Sequence, residues 1–234
     1  MEIRGDRECR DCGTRWSYFE TGSVACPSCG SVISTGQGDR AEHTAGGVAL
    51  DLSEARSAID EKPLPQVADL AADAGRAYRR AAGFIDAGTI APLDDTYLIA
   101  VELQTVGAEV RRSMRLEDAV TEYLIALLRA PLEDDRPGPA TVPEGLTSAR
   151  GLAVCSAVDD YLSDLRRVVD TAAEPLARPT SRLRAHRKRI EALDGDVDPR
   201  VAERLVGATR DLYAFLERDD EAALARIDER LRIE

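Results

Sequence analysis

Residues 9–30 read CRDCGTRWSYFETGSVACPSCG, from Cys9 to Gly30, and hold four of the chain's five cysteines as two Cys-x-x-Cys pairs. Each such turn delivers two thiolates on one side. The thirteen residues between the pairs can fold the second pair over the first. Four thiolates close a tetrahedral site with zinc–sulfur bonds of about 2.3 Å, so the four sulfurs are expected about 3.5–4 Å apart. Gly13 and Gly30 each follow the second cysteine of a pair, where the chain turns back and needs φ > 0; Pro27 stiffens the second turn. Arg15-Trp16-Ser17-Tyr18-Phe19, bounded by Gly13 and Thr21-Gly22-Ser23, predicts a hairpin.

Beyond residue 35 the composition changes. Ser34–Asp39 and Thr44–Gly47 are rich in Ser, Thr and Gly, which predicts a flexible linker over 36–48. After Leu50 the period becomes helical. Val67, Leu70, Ala71, Ala74, Tyr78, Ala81 and Ile85 form one stripe, with Asp86-Ala87-Gly88 as its stop. Further stripes run from Val120 to Leu128, Val154 to Val169 and Val201 to Leu216, and Leu224, Ile227 and Leu231 form the last. A segment from Thr96 to Val110 is apolar on several sides, which predicts central burial. Pro131 to Gly145 predicts a long surface loop, and Pro175 with Pro179 a break between helices. The expected fold is mainly α: a small N-terminal β zinc ribbon (1–35), the linker (36–48), and an antiparallel bundle of about six or seven helices (49–234).

Aromatics make up only 4% of the chain, so its core must be built from Ala, Leu, Val and Ile, which suits close helix packing. The formal charge is −12, and of 31 basic residues only Lys62 and Lys188 are lysines. Abundant acid with scarce lysine resembles the composition of salt-in halophiles, where molar salt screens charges beyond about 3 Å. No run of about 18 apolar residues is present, so no membrane span is expected. The N-terminal stretch lacks the apolar core of a signal peptide, which predicts a cytoplasmic protein whose cysteines hold metal rather than disulfides.

The Cys-x-x-Cys-Gly and Cys-Pro-x-Cys-Gly turns resemble the knuckles of zinc ribbons, including those of transcription factor B, and of rubredoxins. The whole chain resembles zinc-ribbon proteins of halophilic archaea with an uncharacterised helical C-terminal domain. Ribbon resemblance implies Zn²⁺ on Cys9, Cys12, Cys26 and Cys29 and a contact with nucleic acid or protein. Rubredoxin resemblance implies iron and electron transfer. Zinc is preferred, because no Glu-x-x-His pair or other redox feature marks the helical part.

Two patches are candidates for phosphate or partner contact. One is Arg4, Arg7, Arg10 and Arg15 beside Trp16, Tyr18 and Phe19; the other is the basic run Arg182 to Arg189, with Arg184, Arg187 and Lys188. Against the first, residues 1–34 carry net −1, and four thiolates with a dication lower that to −3. Its aromatics also suit the small ribbon core. The second run suits pairing with acidic neighbours in the bundle. Cys155 lies in an apolar stretch and is expected as a buried small hydrophobe. Asp94-Asp95 suits a helix cap. No constellation around His43 or His186 marks a catalytic site, so no enzyme is expected. The reading is a zinc-binding adaptor with a protein partner and at most weak nucleic-acid contact, an accessory to transcription or a related process. The alternative is an iron-loaded electron carrier.

Overall fold

The computed structural model describes residues 2–113 and 117–232. The chain opens with strand β1 (Glu2–Cys9), the short β2 (Arg15–Ser17) and a single helical turn α1 (Tyr18–Thr21), and β3 follows at Ser34–Glu42. These strands form an antiparallel sheet in the order β2-β1-β3. β1 and β3 run in register from Cys9 opposite Ser34 to Glu2 opposite Glu42, with a slip at Gly5. There the Phe19 ring lies over the glycine, where an added Cβ would come within 2.0 Å of it. This contact turns Tyr18 and Phe19 out of the expected hairpin and into α1, which Gly22 closes in the left-handed region.

The expected linker is instead mostly structure. Residues 36–42 belong to β3, and the chain after it is tied to the helical part. The Thr44 and Ala45 amides both donate to Ile85 O, at 2.8 and 2.9 Å, and the Thr44 hydroxyl donates to Asp164 at 2.6 Å. Gly46 lies so close to Ala81 that a Cβ would sit 2.2 Å from its carbonyl oxygen. Glycine and threonine suggested slack, but here they permit close backbone approach.

The helical part runs α2 (Ser53–Ser57), α3 (Leu64–Ala81), the hairpin β4 (Ile85–Asp86) and β5 (Thr89–Ile90), α4 (Asp95–Arg112), α5 (Asp118–Glu133), α6 (Thr147–Val168), α7 (Ala177–Ala192), α8 (Pro199–Arg218) and α9 (Glu221–Arg230). The mainly α plan with a small N-terminal β region is therefore observed. α3 stops at Ala81, before the Ile85 expected in its stripe, because Asp164 captures the Phe84 amide (2.9 Å) while Thr44 packs on Gly83. Asp94 caps α4 by accepting from the Tyr97 amide at 2.7 Å, as expected.

α4 is the central element. Leu98 and Val101 join one apolar cluster with α6, α7, α8 and α9, whereas Ile99, Leu103 and Val106 join a second with α3 and α5. Small residues let α3 and α4 meet closely. Gly75 faces Ala100 O at 2.3 Å from a would-be Cβ, and Gly107 faces Ala68 and Ala72. A core poor in aromatics thus gains its density from alanine and glycine at helix crossings.

Candidate metal centre

The two Cys-x-x-Cys turns are built alike. The Cys9 amide donates to Thr14 O and the Cys26 amide to Ser31 O; Gly13 and Gly30 donate back to Cys9 O and Cys26 O at 3.1 and 2.9 Å. Both glycines stand at positive φ, 74° and 73°, which their place after the second cysteine foretold. β1 presents the first turn at its end, and the β3 start returns to it through the Arg10 amide, which donates to Ile33 O.

Across the turns, Cys9 Sγ lies 3.6 Å from Cys29 Sγ, and Cys12 Sγ lies 3.5 Å from Cys26 Sγ. All four sulfurs fall within 4.8 Å of one another. Tetrahedral bonds of about 2.3 Å demand sulfur separations of about 3.8 Å, so the set fits one metal ion. Cys9 and Cys26 are buried, while Cys12 and Cys29 face solvent.

The thiols are not equivalent. The Thr14 hydroxyl and amide stabilise the Cys12 thiolate and bring its pKa down to about 6. The Ser31 amide pulls Cys29 down, but the Cys12 and Cys9 sulfurs outweigh it and push it up to about 12. Four thiols sharing one small space cannot all ionise without a cation among them, and such a site releases protons when metal binds.

The aromatic candidates serve the ribbon itself. Trp16 is buried with Cys9 and Cys26, and its Nε1 donates to Ser23 O at 3.0 Å. Tyr18 and Phe19 pack on His43, with ring centroids 6.0 and 4.9 Å away. Arg15 is exposed and pairs with Glu8 at 3.0 Å. None of these forms a stacking platform together with the basic run, which lies on α7. On that helix Arg187 pairs with Asp159 (3.2 Å) and Glu191 (2.5 Å), Arg182 pairs with Asp228, and Arg184 donates to Thr171 at 3.3 Å. Lys188 is exposed. Cys155 is buried, and burial pushes its thiol up to about 12.

One charged cluster escaped the sequence reading. Glu102 (α4) and Arg150 (α6) are fully buried and meet at 2.5 Å. The Tyr123 hydroxyl donates to Glu102 Oε1 at 2.5 Å, and Arg150 also reaches Glu203 at 2.5 Å and Pro137 O at 3.0 Å. Arg136 from the Pro-rich connection enters the same cluster, 3.4 Å from Glu102 and 3.2 Å from Glu203, so that stretch is not simply a surface loop. Burial disfavours the Arg150 charge, but Glu102, Tyr123 and Glu203 outweigh it and hold the guanidinium protonated. Arg136 also reaches Asp95 at 3.8 Å, which extends the cluster toward the surface and to Arg210. The available signal was Glu102 itself, a carboxylate within the buried apolar run Tyr97–Leu103 of α4.

A small ribbon with a four-cysteine centre, joined to an Ala-rich helical bundle, defines the class of architecture. Residues 1–231 match a family of unknown function (DUF7117), and the chain belongs to that family. No curated protein and no solved structure matches it. Among the described residues no helix is long and apolar enough to cross a membrane.

Proposed function

We propose that this protein is a zinc-binding, non-enzymatic adaptor, cytoplasmic and suited to high salt, that acts through a protein partner in transcription or another nucleic-acid process. The observation that carries this reading is the rim of the metal centre. Val24, Val32 and Ile33 are 45%, 71% and 56% exposed in a module that otherwise buries almost nothing. Val32 and Ile33 follow the second cysteine turn, and the Ser34 hydroxyl donates to Val24 O, which ties the Val24 backbone to the start of β3. Exposed apolar side chains on a small, metal-braced support suit protein contact. The −12 charge disfavours long-range approach to nucleic acid. The internal pairing of Arg182 and Arg187 supports the same ordering, and the lysine-poor composition supports a halophilic setting.

Metal analysis and colour test the cofactor: one colourless zinc per chain is expected, and red tetrathiolate iron would favour the electron-transfer alternative. Affinity capture from native extract at high salt tests the partner. A specific protein retained by the wild type and lost with Val32→Asp/Ile33→Asp, at unchanged metal content, is the expected result. Submicromolar anisotropy binding to DNA or RNA at high salt, abolished by charge reversal at Arg184 and Arg187, would make direct nucleic-acid recognition the function instead.

A further inference from the structure

The basic run on α7 is matched by acid only in part. Arg182 and Arg187 are paired with carboxylates of α9, α6 and α7 itself. His186 and Arg189, on the same side of the helix as Arg182, have no carboxylate partner among the described residues. With Arg204 of α8 and Arg232 after α9 they line a cavity of about 170 Å³ at one end of the bundle. Ile190, Val197 and Val201 supply apolar wall, and among the described residues no acidic side chain lines it. Among the described residues the side chains of Arg189, Arg204 and Arg232 take part in no hydrogen bond or ion pair. His186 Nε2 is buried there without a hydrogen-bond partner.

In a chain with a formal charge of −12, an acid-free cavity carrying three guanidiniums and an orphaned imidazole nitrogen calls for an anion. Burial, then Arg204, with smaller contributions from Arg189 and Arg182, hold the His186 pKa below its ordinary value against the opposing pull of the Val201 backbone. The size bounds the ligand: a cavity of about 150 Å³ takes one benzene. From this geometry we infer that the cavity binds a small organic anion, a carboxylate or phosphate monoester whose apolar body is about the size of one aromatic ring. The arginines grip the anionic head in charge-assisted hydrogen bonds, His186 Nε2 gains the partner it lacks, and the apolar wall receives the body.

The test titrates the full chain with benzoate, phenyl phosphate, inorganic phosphate and neutral benzyl alcohol. It is read by calorimetry and by the imidazole NMR signals, which two histidines make simple to assign through His186→Gln. Benzoate or phenyl phosphate is expected to saturate one site and shift the His186 signals. Inorganic phosphate and benzyl alcohol should bind at least about tenfold more weakly, and Arg189→Gln/Arg204→Gln should cost about tenfold in affinity at unchanged helicity. Arg184→Gln, on the other face, should change nothing. Whichever of the two ring anions binds tighter identifies the head group. Absence of saturation by both, binding of benzyl alcohol as tight as that of benzoate, or an unchanged affinity in the double variant would overturn the assignment.

Discussion

The ribbon and the helical part solve the same problem with opposite means. The ribbon's buried apolar cluster is Cys9, Trp16 and Cys26, and two of those three are metal ligands by position. The helical part buries two large clusters that meet on α4. A three-residue core cannot offset the conformational entropy of ordering some forty residues, so the ribbon is expected to need a metal on its four cysteines. The bundle has two large apolar clusters, and it carries a buried ion network whose desolvation cost its attraction need not repay. Where the core is small, one chemical bond type decides the fold. Where it is large, the fold tolerates charged passengers.

The sharpest way to break this comparison is to remove a ligand. Cys26→Ser, or chelation, should unfold the ribbon, since structural zinc couples about 10–16 kcal/mol to folding in small modules. Trp16 is the chain's single tryptophan, so its emission reports the ribbon alone and should shift to the red. Far-UV circular dichroism should hardly change. Loss of most helicity would show that the bundle needs the ribbon, which the Thr44–Asp164 junction makes a genuine alternative to independent folding.

Next in size comes the buried network. Arg150→Met takes from the buried Glu102 its closest cation and leaves only the longer contact to Arg136, an expected loss of about 3–5 kcal/mol in urea denaturation. Adding Glu102→Leu should recover much of it, because no orphaned charge then remains. A double variant as unstable as the single one would mean that the network, not the apolar clusters, organises the bundle. A smaller effect is expected at the junction. In Gly46→Ala the new Cβ would meet Ala81 O at 2.2 Å, which should cost about 1–3 kcal/mol and separate the Trp16 transition from the helical one. Coincident transitions in that variant would count against two distinct regions.

The smallest effect is on pH. The His186 pKa is lowered, chiefly by burial, so the unfolded chain takes up this proton before the folded one does. Stability from this residue is present above the ordinary value of 6.5 and is lost as pH falls below it. His186→Gln should therefore flatten the pH dependence of bundle stability below that value, while the Trp16 signal is unaffected. An equal slope in the variant would show that the imidazole is solvated in the folded chain.

Much of this was legible in the residues, and the reason is local. Four cysteines at fixed spacing with a glycine after each pair specify a metal turn within a few residues, and the structure brings their sulfurs together. Helical stripes likewise depend on period alone, which is why α4 could be expected at the centre. The exceptions are contacts between distant residues. Gly46 read as slack in the sequence, yet it is where two backbones meet. Ile85 continued a stripe by spacing, but Asp164, some eighty positions away, holds the Phe84 amide and ends the helix first. The basic run on α7 read as one patch, but carboxylates on α9 and α6 pair with Arg182 and Arg187 and leave His186 and Arg189 to the cavity. By itself the sequence determined the metal site, the helical class and the alanine-rich core, because spacing and period act between neighbours. Only the tertiary structure decided which charges are paired, which are buried and which remain open, because a charge's energy depends on partners that the fold, not the chain order, brings near.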